Sequence, residues 1–306
     1  MIRIRRDQVH YTYSSEHAPV ATVHSGDTLF VEVQNGLGGN PVAIGETLAN
    51  VQPELSDPVA GPIWVDGAKP GDTLAVTIDS VTITSPPVQG ILPGIGVLEW
   101  PCTPLEQFGL VDHHVKWRDL NIEVHPMLGI VGVSPHTGAV PSVLCGDFGG
   151  NLDTKYVRAG AVVWLPVLTA GGGLVFGDGK ALMGDGEVGG VSLQCDVDAV
   201  VTVILQSGSG LKRPRILCED RLMFLGCAET VEQGGQLCVQ DAVDFLAEHT
   251  RLTPTDAYFL VTMVGDLEVS QIVNELVTVR IAVPAQVLQQ LDVPLRPQGL
   301  DPRATA

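Results

Sequence analysis

Residues whose side chains can do chemistry are concentrated between positions 145 and 190, in two glycine-rich stretches. The first stretch reads CGDFGGNLDT (145–154), and the second reads GDGKALMGDGEVGG (177–190). Glycine lets a backbone turn sharply and approach a ligand closely. We therefore expect five polar side chains from these stretches to converge on one site: Asn151, Asp153, Asp178, Asp185 and Glu187.

Carboxylates beside the amine of Lys180 suit two kinds of chemistry. They can move protons as general acids and bases, or they can bind a divalent cation. For any single aspartate between glycines, a turn stabilised by its own side chain is the simpler interpretation. The clustering of all five polar residues favours a functional site over five separate turns.

Other motifs in the sequence carry weaker signals. The segment GDGEVG (184–189) matches GxGxxG, but no helical pattern follows it and a glutamate stands where a pyrophosphate would lie. Cys145 has no cationic neighbour in sequence to lower the pKa of its thiol, so we expect it to be unreactive. Four histidines show no diagnostic metal-ligand spacing: His113, His114, His125 and His136.

The elements that must position these residues are mostly strands. Thr28–Val33 (TLFVEV) and Leu74–Ile78 (LAVTI) alternate apolar and polar residues after turn signals. The uncharged stretch from Ala159 to Gly177 is about as long as a membrane span, but it contains Pro166 and five glycines. We predict two strands there, Ala161–Leu168 and Leu174–Phe176, joined by a glycine-rich turn.

Two helices are expected near the C-terminal end. Thr230 and Gln233 form a capping-box pattern before an apolar stripe made by Cys238, Ala242, Phe245 and Leu246. The second helix begins after Thr253 as N-cap, with Pro254 at its first position, and ends at Gly265. A strand at Leu276–Val283 is predicted to follow.

Charge and cysteine content limit the partners and the compartment. The chain has 17 Lys+Arg against 35 Asp+Glu, a net charge of −18, which argues against nucleic acid or an anionic membrane surface as partner. The segment Met1–Tyr13 lacks the apolar region of a signal peptide. The six cysteines fit no zinc pattern, so we expect reduced thiols in a cytoplasmic protein.

Taken together, these segments resemble the acetamidase/formamidase family of short-chain amide hydrolases over residues 8–285. The most specific matches are FGGNLDT (148–154) and GDGKALMGDGEV (177–188). Supporting matches are SGDTLFVEV (25–33), DPVAGPIWVDGAKPGDTL (57–74), PGIGVL (93–98), PMLGIVGVSP (126–135), AGAVVWLPV (159–167) and DLEVSQIVNELVTVRIAVP (266–284).

The chain departs from the family pattern at two places. The pattern has His after Gly-Asp-x, where this chain has Lys180, and it has NP-x-TGP where this chain reads DPVAGP (57–62), so that Ala60 replaces Thr. Lysine cannot ligate a metal without losing its proton. Two states of the site therefore stay open: zinc or calcium held by Asp153, Asp178 and Glu187, or no metal, with Lys180 supplying the positive charge.

The resemblance implies a mainly β fold with an α+β C-terminal part. We expect β-sandwich-like and small barrel-like units packed as one compact body. The approximate divisions are an N-terminal sandwich-like part at 1–105, a β-rich part carrying the two motifs at 106–210, and a C-terminal α+β part at 211–306.

The implied function is hydrolysis of the C–N bond of a small amide to a carboxylate and ammonia. Glu187 is the expected base that activates water, while Asp178 and Asp185 organise the site. Asn151 and Asp153 would bind the substrate, and Lys180 would stabilise the oxyanion. We expect a homo-oligomer, with a dimer as first choice.

Two rival functions remain open. One is an enzyme of the same fold that acts on another amide, a lactam or an imide. The other is a non-catalytic relative that binds a small ligand, which the departures at Ala60 and Lys180 favour.

Overall fold

The computed structural model describes residues 1–295, which form a mainly β fold. The strands are, in chain order, β1 (Ile2–Ile4), β2 (Val9–His10), β3 (Thr12–Ser14), β4 (Ala21–Val23), β5 (Thr28–Val33), β6 (Val59–Val65), β7 (Thr73–Ile83), β8 (Val88–Gln89), β9 (Glu106–Gln107), β10 (Leu110–Val111), β11 (His114–Trp117), β12 (Leu120–Glu123), β13 (Met127–Gly132), β14 (Ala139–Pro141), β15 (Cys145–Gly146), β16 (Gly149–Asn151), β17 (Val162–Pro166), β18 (Leu174–Leu182), β19 (Leu193–Gln194), β20 (Val197–Gln206), β21 (Arg215–Cys218), β22 (Arg221–Ala228), β23 (Asp266–Gln271) and β24 (Val277–Pro284). The helices are α1 (Val231–His249), α2 (Pro254–Val264) and α3 (Ala285–Gln290), with short 3-10 helices at Leu48–Asn50 and Pro53–Leu55. The predicted fold class is confirmed, including the helices near the C-terminal end.

The larger part of the fold rests on a nine-stranded sheet in the order β1-β5-β20-β7-β17-β21-β22-β24-β23. Strands from all three predicted parts of the chain belong to it, and the division into those parts stays a prediction. Strand β5 has the predicted bounds and buries every second residue, as its alternating sequence indicates. Strand β7 starts one residue before the predicted Leu74 and continues to Ile83.

A second sheet carries the two glycine-rich motifs. Its main path is β15-β16-β13-β18-β19-β8-β9, and β6 pairs with β18, β2 and β4. The strand predicted to end at Phe176 continues to Leu182, so that Asp178 and Lys180 lie within β18. Within residues 1–295, the sheets stay open and none closes into a barrel.

The two large sheets share one hydrophobic core. Leu29 and Val76 of the first sheet belong to the same fully buried cluster as Leu128 and Phe176 of the second. Full burial of such a side chain contributes roughly 1.5–3 kcal/mol. This packing of one sheet on another, as in a sandwich, fixes β13 and β18 as rigid supports.

The helices cover the far end of the nine-stranded sheet. The predicted stripe of α1 is buried against β22 and β24, and Thr230 accepts a hydrogen bond from the backbone of Gln233. Helix α2 begins after the N-cap Thr253, which forms a complete capping box with Asp256, and Gly265 follows its last residue. In the part of the chain that the model describes, no helix is long and apolar enough to span a bilayer.

Candidate active site

Strand β18 presents Asp178 and Lys180 on one face, because side chains two residues apart in a strand point the same way. The Nζ atom of Lys180 lies 2.9 Å from Oδ2 of Asp178. It also lies 2.5 Å from Oδ1 of Asp153 and 2.6 Å from Oε1 of Glu187. One buried ammonium group thus holds three buried carboxylates, and we call these four residues the lysine–carboxylate cluster.

A glycine on the neighbouring strand makes room for this cluster. Gly129 lies in β13, between β18, which carries Asp178, and β16, which Asp153 follows by two residues. A Cβ atom there would stand 1.9 Å from Oδ2 of Asp178 and 2.7 Å from Oδ1 of Asp153. No other residue at position 129 leaves space for both carboxylates.

Asn151 and Asp153 reach the cluster through strand β16. Asn151 is the register partner of Ile130 in β13, and the backbone N–H of Asp153 donates to the carbonyl of Gly129 at 3.0 Å. The second carboxylate oxygen of Asp153 accepts from Nδ2 of Asn274 at 3.2 Å. The two motifs predicted to meet are therefore joined through β13.

Glu187 enters the cluster from a tight turn after β18. Its backbone N–H donates to the carbonyl of Gly184 at 3.2 Å, and its carbonyl accepts from Gly190 at 2.8 Å. Its Oε1 atom also accepts from the hydroxyl of Ser192 at 2.7 Å. The chain thereby reverses direction and returns Glu187 to a lysine seven residues earlier.

Four acidic residues around this site share an uncommon backbone conformation. Asp57, Asp153, Asp178 and Glu187 have φ angles of 53°, 43°, 52° and 43°. Residues other than glycine seldom adopt such left-handed angles, and the cost of doing so is found most often at functional sites. This conformation is shared by Asp57 and by three carboxylates of the sequence motifs, but not by Asp185.

The charges within the cluster depend on one another. Burial by itself lowers the pKa of the Lys180 ammonium, but the carboxylates of Asp153, Asp178 and Glu187 outweigh it and raise that pKa well above its usual value. Burial, followed by the charge of Glu187, raises the pKa of Asp153 well above its ordinary range. The expectation that Lys180 stays protonated and pairs with carboxylates is supported by this arrangement.

Carboxylates surround the Lys180 ammonium. Its Nζ atom donates to Oδ1 of Asp153 at 2.5 Å and to Oε1 of Glu187 at 2.6 Å, and it lies 2.9 Å from Oδ2 of Asp178. The expected stabilisation of an oxyanion by Lys180 stays a prediction. Its charge acts by holding the carboxylates together.

The same geometry bears on whether a metal ion fits the site. Nζ of Lys180 fills the point on which the carboxylates of Asp153, Asp178 and Glu187 converge. These carboxylates therefore fit the ammonium better than they fit a metal ion. Within residues 1–295, no group of three or more His, Cys, Asp or Glu side chains is arranged to hold a metal. The arrangement favours the second of the two predicted states, in which Lys180 supplies the positive charge.

The cluster opens into a cavity of about 400 Å³. Its polar lining includes Asn151, Asp178 and Glu187, and we call its apolar lining residues the apolar wall: Leu37, Leu48, Val51, Leu92, Pro93 and Ile95. Two buried oxygens at this site have no hydrogen-bond partner, Oδ1 of Asn151 and Oδ1 of Asp178. Buried acceptors without a donor are costly, so the site is suited to a small molecule with N–H or O–H groups.

Asp185 does not join the others, which corrects the expectation for this residue. It is exposed at the other side of its turn and accepts from Arg280 and Lys155, each at 2.8 Å. In a strand, Asp185 and Glu187 would lie on the same face, because they are two residues apart. The turn through Gly186 instead directs their side chains apart. Asp185 anchors the turn that carries Glu187.

Sequence reasoning missed Asp57 as a site residue. It lies on the cavity wall directly before β6, and the available signal was its place in the segment DPVAGP. Ala60, three residues later, is buried in the core and pairs with Phe176. The replacement of Thr by Ala60 therefore lies in the core packing beside β18.

The remaining candidates lie outside the cavity wall. Cys145 is buried, and its sulfur lies 3.6 Å from both the carbonyl of Leu276 and the hydroxyl of Thr278. The exposed histidines are His113, His125 and His136, and His114 is half-buried.

The chain is similar to known proteins of one family. The model of the acetamidase/formamidase family matches residues 136–290, the segment that supplies Asn151, Asp153, Asp178, Lys180 and Glu187. The chain belongs to the acetamidase/formamidase family. No curated protein sequence matches it.

Solved structures of the family superpose over nearly the whole chain. A predicted acetamidase/formamidase from the thermophile Thermoanaerobacter tengcongensis is 30% identical, with a TM-score of 0.91 over 96% of this chain and 99% of that one. An acetamidase from Bacillus halodurans is 29% identical, with a TM-score of 0.90 over 95% of this chain and all of that one. An acetamidase from Yersinia enterocolitica is 25% identical, with a TM-score of 0.88 over 92% and 90% of the two chains.

Membership of the acetamidase/formamidase family gives the cluster its chemical context. The family and its solved structures point to hydrolysis of an amide. Within that family, this chain carries an ammonium group where the family pattern has an imidazole.

Proposed function

We propose that this protein hydrolyses the C–N bond of a small amide to a carboxylate and ammonia, and that the lysine–carboxylate cluster is its active site. The observation that carries the proposal is the pair of buried, unpartnered oxygens on Asn151 and Asp178 at the wall of the cavity. An amide nitrogen and a water molecule supply the N–H and O–H donors that these acceptors lack.

Glu187 is the proposed general base. Within residues 1–295, both hydrogen bonds of its carboxylate are accepted by Oε1, from Lys180 and from Ser192. The second carboxylate oxygen, Oε2, is left available to accept a proton from water. Since Lys180 fixes the carboxylate without using that oxygen, the ion pair positions the base.

Asn151 is proposed to bind the amide nitrogen. Its Nδ2 atom donates to the carbonyl of Val143 at 3.3 Å, which leaves Oδ1 as the free end of the side chain. An oxygen acceptor pairs with the N–H group of an amide rather than with its carbonyl.

The apolar wall suggests which acyl group the amide carries. Leu37, Leu48 and Leu92 line the same cavity as the cluster, and its volume of about 400 Å³ lies within the usual range for small-molecule sites. We propose that the acyl group is apolar and larger than acetyl. Desolvation of that group would add binding energy that formamide and acetamide do not offer.

The proposal is tested by measuring ammonia release from purified protein with formamide, acetamide, butyramide, isobutyramide and benzamide. A γ-lactam and a cyclic imide, followed by ring opening, test the rival substrates. Amide turnover supports the proposal, and turnover of the cyclic substrates alone would replace it with the lactam or imide function. Saturable binding of butyramide without turnover would identify a non-catalytic binding protein.

The proposed cellular setting follows from the sequence. A homodimer in the cytoplasm, with a small amide as partner, stays a prediction. Sedimentation of the purified protein and fractionation of the cell of origin would test the two statements.

A further inference from the structure

We infer that Asp57 is a catalytic residue of this site, the acid that protonates the departing amide nitrogen. This inference rests on the proposed function and adds to it a residue that the family pattern does not contain. In that pattern, NP-x-TGP, an asparagine stands at the position of Asp57.

Asp57 and Asp178 lie close together beside Gly36. A Cβ atom on Gly36 would lie 2.6 Å from Oδ1 of Asp57 and 2.7 Å from Oδ1 of Asp178, closer than a real Cβ atom tolerates. The backbone N–H of Gly36 donates to Oε1 of Gln194 at 2.7 Å. Both carboxylate oxygens therefore pack closely against this glycine, and both residues line the same cavity.

The two neighbouring carboxylates include an acceptor without a donor. Oδ1 of Asp178 is buried and has no partner, whereas Oδ2 of the same residue is held by Lys180 at 2.9 Å. One oxygen of Asp178 thus carries its ion pair, and the other packs beside Gly36, as Oδ1 of Asp57 does. Because Asp57 lines the cavity, an amide nitrogen bound there can approach it.

The two facing carboxylates are not equivalent. Asp178 is paired with a cation, while Asp57 forms no ion pair in the part of the chain that the model describes. Two carboxylates that share a confined space do not both ionise readily, and the proton stays on the one without the cation. Burial, followed by the negative charge of Asp178, accordingly raises the pKa of Asp57 well above its ordinary value.

A proton on Asp57 completes the reaction. Glu187 removes a proton from water, the water oxygen bonds to the carbonyl carbon, and a tetrahedral intermediate forms. As the C–N bond breaks, the nitrogen keeps the electron pair and takes the proton of Asp57, leaving as ammonia. The proton on Glu187 then returns to Asp57 through solvent, and the products separate as carboxylate and ammonium.

Lys180 and Asp57 both lie beside the carboxylate of Asp178. Lys180 pairs with Oδ2 of Asp178, and Asp57 faces Oδ1 of the same carboxylate. The chain thus has an ammonium on one side of Asp178 and a proton donor on the other. Asp57 therefore provides acid catalysis in a site whose centre is filled by Lys180.

The test is Asp57→Asn, which keeps the shape, removes the acid and introduces the residue of the family pattern. With the best amide found for the wild type, we expect kcat to fall by about 100-fold or more while KM changes by less than ~3-fold. Asp79→Asn is the control, because Asp79 is an exposed aspartate on β7 whose partner is Thr202. The thermal midpoint of each variant verifies that it folds.

Two outcomes overturn the inference. One is amide turnover by Asp57→Asn within ~3-fold of the wild type. The other is a parallel loss on a 4-nitrophenyl ester, whose leaving group departs without a proton, because that marks a structural role. A wild type that releases no ammonia from any amide would instead overturn the proposed function, so the two failures are distinguishable.

A second variant keeps the test valid if Asp57→Asn does not fold. Gly36→Ala retains both carboxylates and places a methyl group against their Oδ1 atoms, which must then move apart. We expect at least a ~10-fold loss of kcat/KM for the amide, and unchanged turnover would contradict the inference. Gly109→Ala is its control, because a Cβ at Gly109 meets nothing within 4 Å.

Discussion

Nζ of Lys180 lies 2.6 Å from Oε1 of Glu187, and this contact closes the turn that follows strand β18. The lysine is fully surrounded by protein, and the glutamate is nearly so. A buried ion pair of this kind is costly to form and more costly to break on one side only. The contact therefore ties the stability of the cluster to the position of the proposed base.

Replacement of Glu187 by glutamine is expected to reduce kcat by roughly 10²–10⁴-fold, because the side chain keeps its shape but loses its capacity to accept a proton. The measurement is ammonia release with the best amide substrate, beside circular dichroism to verify the fold. Glu123→Gln, at an exposed position on β12, is the control and should retain full activity. Near-normal turnover by Glu187→Gln would remove Glu187 from the role of base.

Replacement of Lys180 by methionine leaves three buried carboxylates without their cation. Removing one partner of a buried ion pair costs about 3–5 kcal/mol, so we expect a loss of unfolding free energy of that size at neutral pH. Urea denaturation of the wild type and the variant measures it. Lys116→Met, at an exposed site, should cost little, and an equal loss in both variants would contradict a special role for Lys180.

Dialysis against a chelator is expected to leave the activity of the wild type unchanged, because the ammonium fills the point where the three carboxylates converge. The variant Lys180→His removes that ammonium and offers a neutral nitrogen ligand beside the same carboxylates. We expect this variant to bind zinc more tightly than the wild type does, as measured by metal analysis after dialysis. One stoichiometric zinc at these carboxylates in the wild type would show that Lys180 does not exclude a metal.

Asp185 supports the turn of Glu187 through its ion pairs with Lys155 and the fully buried Arg280. Burial acts to raise the pKa of Asp185, but the hydrogen bonds from Arg280 and Lys155 lower it overall. A lowered pKa means that the ionised carboxylate contributes stability above its unfolded-state pKa, and that the contribution is lost as pH falls through the folded-state pKa.

Asp185→Asn should therefore reduce the unfolding free energy by ~1–3 kcal/mol at pH 7, the range for a hydrogen bond to a charged group. The difference from the wild type should narrow in acid, below the ordinary pKa of a carboxyl group. Denaturation at both pH values tests this, with the exposed Asp112→Asn as control. A difference independent of pH would show that the ionised form of Asp185 is not what stabilises the turn.

The apolar wall of the cavity should set the preference for the acyl group. We expect kcat/KM to increase from acetamide to butyramide, and Leu92→Ala to lower it for butyramide by about tenfold, since the loss of apolar contact corresponds to ~1–3 kcal/mol. Acetamide, which is too small to reach that wall, should be affected less. Leu120→Ala, which removes a more than half-exposed leucine, is the control. Equal effects of Leu92→Ala on both amides would contradict this assignment.

Local patterns in the sequence determined most of the elements. The alternation in Thr28–Val33 and the cap residues Thr230 and Thr253 act within a few residues of chain, so their structural consequences can be read without the rest of the fold. The motif GDGK likewise placed Asp178 and Lys180 on one face once a strand was known to pass through them. That strand was predicted too short, because its glycines resemble a turn until Gly177 and Gly179 are seen packed against Pro58 and Cys195.

Only the tertiary structure decided which acids meet. Asp153 and Lys180 are 27 residues apart in the sequence. They come together because Gly129 of β13, beside the cluster, has no side chain to keep the carboxylates of Asp153 and Asp178 apart. Asp185 and Glu187 lie in one motif, yet the left-handed turn between them directs one to Arg280 and the other to Lys180. Asp57 comes from a distant segment and faces Asp178 because Gly36 has no side chain. Side-chain direction after a turn and the approach of distant strands depend on the packing of the whole fold, and no local pattern specifies them.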